Sequence, residues 1–127
     1  MPTAEPTLKN KPATSLSGRR GENLAANYLK KAGYRLVERN YRQKYGEIDI
    51  IATKGAETIF FEVKTRKSLR FGLPEEAVNF RKLRKIRRLA EYYASKQPLL
   101  PQKLRIKVIA IQIADNNLKS LKVIDVD

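Results

Sequence analysis

The chain is 127 residues long, with 27 Lys+Arg against 13 Asp+Glu, a formal net charge of +14, and neither His nor Cys. That length supports one domain with a real core, and 42% hydrophobic with 31% charged residues describe a globular chain. The missing His and Cys exclude disulfides, zinc fingers, thiolate nucleophiles and His-dependent catalysis, which leaves carboxylates, Lys, Arg, Tyr, Ser, Thr or an oxygen-bound hard metal to carry any chemistry.

Residues 1–17 place Pro2, Pro6 and Pro12 among Thr, Ser, Lys and Asn and read as a flexible tail. Residues 18–127 read as a single α/β domain. Ser17 is the expected cap of a first helix running to about Ala32, with Gly33 as its stop. Leu24, Ala25, Tyr28, Leu29 and Ala32 form its apolar stripe. Tyr34–Asn40 reads as a first strand and Gly46–Thr53 as a second. The turn Lys54-Gly55-Ala56 leads to a third, Thr58–Thr65. Pro74, followed by Glu75 and Glu76, suits the first turn of a second helix. That helix reaches about Lys96, burying Leu83, Ile86, Ala90 and Tyr93, before Pro98 and Pro101 end it. Leu104–Ala114 reads as a fourth strand, Asp115-Asn116-Asn117 as a turn, and Leu118–Val126 as a fifth strand. The order is αβββαββ.

The charge is unevenly spread. Residues 67–107 hold 12 basic groups and 3 acidic ones, whereas most of the acids lie upstream. Such an excess attracts polyanions, and nucleic acid is the default partner. No apolar run approaches the ~20 residues that span a bilayer, and Met1–Ser17 lacks the apolar centre of a signal peptide. The expectation is a cytoplasmic protein without a membrane partner.

Chemistry is concentrated in the third strand, Phe60-Phe61-Glu62-Val63-Lys64. Strand alternation puts Glu62 and Lys64 on one face and Ile59, Phe61 and Val63 on the other. An acid inside an apolar strand has a stability cost unless paired or liganded. Asp49 sits similarly between Ile48 and Ile50, and a hairpin through residues 54–57 brings it across from Glu62. Two adjacent carboxylates repel unless a cation stands between them, and oxygen donors suit Mg²⁺ or Mn²⁺. Lys64 beside them can orient or deprotonate a water, or stabilise charge on a phosphate. Glu22 shares a helix flank with Ala25 and Leu29 and can reach the same point from above. Glu47, on the strand face of Asp49, is a weaker candidate. Each residue alone has a plainer reading: a solvated strand face with an ion pair for Glu62 and Lys64, a turn or ion-pair acid for Asp49, a helix N-terminal acid for Glu22. Their joint spacing is what favours a site.

Residues 81–88 read RKLRKIRR, six cations in eight. Arg81, Arg84, Lys85 and Arg88 fall on one helical stripe, broadly opposite Leu83, Ile86 and Ala90. Phosphate contact outweighs a merely solvated face because few acids stand nearby, and such contact positions a nucleic acid without reading its sequence. Tyr41 and Tyr45 are candidates to stack on an unpaired base, with burial the competing expectation for at least one of them.

The segments Gly18-Arg19-Arg20-Gly21-Glu22, Gly33-Tyr34, Asn40-Tyr41-Arg42, Gly46–Ala52, Phe61–Arg66 and Phe71–Val78 together resemble the YraN-like family, a bacterial family predicted to be endonucleolytic. The resemblance spans roughly residues 18–113. It implies a restriction-endonuclease-like core, with a mixed central sheet flanked by helices, similar to archaeal Holliday junction resolvases. The D…(E)xK signature of that superfamily would make Asp49 and Glu62 ligands of Mg²⁺ (or Mn²⁺) and Lys64 the catalytic lysine. Glu22 looks like the helix-borne acid of resolvase-type members. Thr65 and Arg66 would contact phosphate, and the resolvases' dimeric state would carry over as a homodimer. One departure stands out: the family pattern often has an Asp in the late core strand, where this chain has Arg105-Ile106-Lys107. The expected function is a Mg²⁺-dependent, structure-directed DNA endonuclease. The alternatives are a non-catalytic nucleic-acid-binding protein of the same fold and, more distantly, a ribosome- or RNA-associated protein.

Overall fold

A computed structural model describes residues 16–67 and 79–126. Helix α1 (Leu16–Lys31) is followed by β1 (Arg35–Gln43), β2 (Gly46–Lys54) and β3 (Glu57–Arg66), then α2 (Phe80–Ser95), β4 (Lys103–Ala114) and β5 (Asn117–Asp125). The expected order holds. Two helix starts differ from expectation. Helix α1 already includes Ser17, which the sequence places at its cap, and the expected tail before Leu16 lies outside the described residues. Helix α2 begins at Phe80, because Asn79 adopts an extended backbone and its side chain accepts the Lys82 N–H at 2.8 Å. The competing start signal at Pro74-Glu75-Glu76, and the Phe71–Val78 motif, lie outside the described residues.

The five strands form one sheet in the order β1-β2-β3-β4-β5. Neighbours run antiparallel except β3 and β4, which are parallel. That parallel pair requires a long crossover, and α2 lies within it. Gly33 ends α1 at φ +94 and Gly55 turns the β2–β3 hairpin at φ +61, conformations that glycine adopts without strain.

Each helix covers one face of the sheet. Ala25, Ala26 and Leu29 of α1 pack with Ile50, Ala52, Ile59, Phe61, Ile109 and Ile111. Ile86, Leu89, Ala90 and Tyr93 of α2 pack with Ile48, Ile51, Phe60 and Ile106. Strand alternation accounts for the split between Phe60 and Phe61. Tyr28, expected in the α1 stripe, is 43% exposed, and Ala26 takes its place in the core. Among the described residues no helix is long and apolar enough to cross a membrane.

Candidate active site

Strand β2 does not alternate cleanly. Ile48 packs toward α2 and Ile50 toward α1, so the chain changes face at Asp49. The β2–β3 ladder runs from Lys54↔Glu57 to Ile50↔Phe61 and stops there. At the next step the Asp49 carboxylate takes over from the backbone: its Oδ2 accepts the Val63 N–H at 2.7 Å. The carboxylate therefore stands beside Glu62, as the hairpin register predicts. On the other side, the pairs Arg39↔Ile50 and Tyr41↔Ile48 put Asn40 opposite Asp49. Asn40 is buried and left-handed at φ 55, a conformation that Asn tolerates better than most residues. The strand irregularity thus spans both partners at the point where the acid is needed.

Asp49 and Glu62 are 7% and 6% exposed, and Glu22 of α1 is 8% exposed. Burial, the Glu62 charge, and then Glu22 and Glu47 push the Asp49 carboxyl up to about 8, against the opposing Val63 hydrogen bond. Four acids therefore share one electrostatic environment. Glu47 is the outermost, held by Arg42 at 2.9 Å.

Glu62 is neutralised from two directions. Its Oε2 lies 2.5 Å from Lys82 Nζ and 3.4 Å from Lys64 Nζ. Burial and the neighbouring Lys82 ammonium lower the Lys64 pKa, despite the opposing pull of Glu62. Burial also works against charge on Lys82. Its hydrogen bonds to Glu62 and Lys64, with the attraction of Glu62 and Asp49, outweigh that and raise its pKa. Lys64 is the lysine that gives up its proton more readily. The sequence reading missed Lys82, although it falls four residues before Ile86 and seven before Leu89 on the buried stripe of α2.

Asp49, Glu62 and Lys82 open, with Glu47, into a cleft of about 460 Å³, whereas Lys64 borders a separate small hollow with Glu62 and Lys82. Asp49 and Glu62 form its floor, and Arg81, Lys82, Lys85 and Tyr45 stand around it. The predicted cationic stripe is exposed throughout, but it divides. Arg81 and Lys85 border the acids, while Arg84 lines a separate hollow with Leu83, Arg87 and Ile106. Arg66 ends β3, half-buried, on the strand face of Glu62 and Lys64. Thr65 does not face the cleft: α1 approaches β3 at Gly21, where an added Cβ would overlap the Thr65 hydroxyl. Tyr41 packs edge-on against Tyr93 at 4.8 Å, whereas Tyr45 is 75% exposed. Lys107 pairs with Asp125 at 3.3 Å, and Arg105 with Glu57 at 3.0 Å. The late-strand departure is thereby absorbed into cross-sheet ion pairs.

Hard oxygen donors at Asp49 and Glu62 fit Mg²⁺, which is commonly held by one or two carboxylates together with water and substrate phosphate. Among the described residues no group of three or more Asp or Glu is placed to hold a metal ion by itself.

The fold and cleft define a mixed α/β protein with buried carboxylates and a lysine beneath a basic rim. The chain belongs to the uncharacterised protein family UPF0102, whose model matches residues 21–111, and this is the YraN-like family that the motifs resemble. A UPF0102 protein of Alkaliphilus metalliredigens is 47% identical over 76% of this chain and 84% of its own length. One from Syntrophomonas wolfei is 42% identical over 78% and 86%. A third, from Moorella thermoacetica, is 48% identical over 74% and 78%.

Proposed function

We propose that this protein is a divalent-metal-dependent endonuclease that hydrolyses DNA phosphodiester bonds, directed by nucleic-acid structure rather than base sequence. The observation that carries this reading is the burial of Asp49 and Glu62 at the floor of a cleft rimmed by cations, with Lys64 Nζ 3.4 Å from Glu62. A surface that only binds phosphate gains nothing from acids at its centre, because they repel the ligand. The αβββαββ order, the mixed sheet and the D…ExK spacing support a restriction-endonuclease-like core.

Asp49 and Glu62 would hold the ion, with Glu22 close enough to tune its site. When bound, Mg²⁺ or Mn²⁺ supplies positive charge that polarises the phosphodiester and acidifies water. Lys64, its pKa already lowered, takes the proton from the attacking water or orients it. Lys82 keeps Glu62 compensated in the apo protein and, with Arg81 and Lys85, receives the phosphate. Arg84, Arg88 and Arg66 extend the basic surface that holds the backbone on either side. Water is the nucleophile, so neither His nor Cys is needed.

The test uses duplex, single-stranded, flap and four-way-junction DNA with Mg²⁺ or Mn²⁺. The wild type is expected to cut at least one of them, and Asp49→Ala and Lys64→Ala are each expected to lose about a hundred-fold or more of that activity. Equal cutting by wild type and variants would identify a contaminant. A wild type that binds all four and cuts none would leave the second reading, a non-catalytic nucleic-acid-binding protein. The compensation of Glu62 by two lysines, Lys64 and Lys82, is the observation that favours that reading.

A further inference from the structure

A second groove, of about 700 Å³, adjoins the candidate catalytic cleft. Tyr45 and Lys85 line both. Leu89 contributes an apolar wall, Tyr92 stands beside it, and Lys44 and Arg88 supply further cations. Among the described residues no carboxylate lines this groove, in contrast to the cleft next to it. Tyr45 and Tyr92 are 75% and 49% exposed, so two aromatic rings are presented to solvent among three cations. Lys44 Nζ stands 5.7 Å from the Tyr45 ring centroid.

The turn that carries Tyr45 is seated against α2. Gly46 adopts φ +153, and a Cβ there would come within 3.3 Å of Leu89 Cδ1. A glycine at that point lets the hairpin approach the helix and holds Tyr45 over the groove. The volume is in the range of small-molecule pockets, roughly 300–1,000 Å³.

We propose that this groove is a nucleobase pocket, in which Tyr45 and Tyr92 receive an unpaired base while Lys44, Lys85 and Arg88 hold its flanking phosphates. Aromatic faces interleaved with cations are the chemistry that binds single-stranded nucleic acid, because every base offers a π-face and every linkage a charge. Rings within a paired duplex are not available for such stacking. The pocket therefore selects DNA with an unpaired nucleotide close to the scissile bond: a flap, a loop or a junction arm. The inference rests on the proposal that the adjoining cleft acts on nucleic acid, and it names the substrate class for that cleft.

Binding in EDTA separates the pocket from cleavage. The probes are a fluorescent thymidine 12-mer, an abasic 12-mer of equal charge, and a duplex of equal length, read by anisotropy. The wild type is expected to bind the thymidine strand about ten-fold tighter than the abasic one. Tyr45→Ala is expected to erase that difference, and Tyr45→Phe, which keeps the ring, to preserve it. Arg88→Ala should weaken both single strands alike. Equal affinity of the wild type for thymidine and abasic strands, or an unchanged preference in Tyr45→Ala, would overturn the pocket and leave the nuclease proposal standing. A base preference without any cleavage in the Mg²⁺ assay would support the pocket and remove the nuclease. If no strand binds, the pocket falls, and the Mg²⁺ cleavage assay alone decides the nuclease.

Discussion

Asp49 concentrates the site's electrostatics in one side chain. An ordinary carboxyl titrates near 4 in the unfolded chain, whereas burial and the charge of Glu62 push Asp49 up to about 8 in the folded one. Between those values the folded protein retains a proton that the unfolded chain has lost. Stability in the absence of metal should therefore fall as pH rises from about 4, with the loss complete above about 8. Asp49→Asn keeps an oxygen acceptor for the Val63 N–H but cannot ionise. Its stability relative to wild type should improve by roughly 2–4 kcal/mol between about pH 5 and about pH 8, as measured by urea unfolding in EDTA. Parallel pH profiles for the two proteins would show that the Asp49 charge is not penalised by folding. Asp49 and Glu62 are legible as a pair in the sequence because Lys54-Gly55-Ala56 dictates a hairpin whose register brings them level. Lys82 is not, because every cation in RKLRKIRR looks solvated until the stripe through Ile86 and Leu89 is traced back to it. Asn40 is hidden for another reason: its left-handed backbone lies inside a run that otherwise reads as an extended strand.

Between elements, the contact that matters most to the site is the seating of α1 on β3. Gly21 lies directly over Thr65, and the next residue in the helix is Glu22. The height of the helix at this point sets how far Glu22 stands from Asp49. Alanine is the better helix former by about 1 kcal/mol, so helix propensity alone predicts that Gly21→Ala stabilises. The packing predicts the reverse: the new Cβ overlaps the Thr65 hydroxyl and lies 3.2 Å from Thr65 Cβ. Overpacking of this kind typically costs about 1–3 kcal/mol. Gly21→Ala should therefore lower the urea midpoint, and adding Thr65→Ala should recover most of the loss. If Gly21→Ala alone is stabilising, the helix is free to lift and the close approach does not constrain it. Asn79 caps α2 at the position that puts Lys82 in the first turn, within reach of Glu62. The strands were more legible than the helix ends, since alternation through Ile59, Phe60 and Phe61 is enforced by two separate cores.

For the molecule as a whole, the net charge of +14 matters less than where it is left uncompensated. Glu57 ties Lys103 and Arg105, Asp125 ties Lys107, Glu47 ties Arg42, and Glu62 ties Lys64 and Lys82. The sheet thus consumes much of its own acid. Among the described residues Arg81, Lys85, Arg88 and Lys44 are left over, lining the acidic cleft and the aromatic groove that adjoins it. Four phosphates held by these cations would release their counterions on binding. The affinity for single-stranded DNA should then fall with salt at a log–log slope of about −3, taking roughly −0.7 per phosphate. The double variant Lys85→Ala, Arg88→Ala should flatten that slope by about 1.4, measured by anisotropy across a salt titration in EDTA. Lys103→Ala and Lys107→Ala remove equal charge from ion-paired strand positions and should leave the slope nearly unchanged. Were the two double variants to flatten it equally, binding would follow total charge and the cations along α2 would have no special role. A difference between them places the nucleic acid on the α2 side of the sheet, where the buried carboxylates open to solvent.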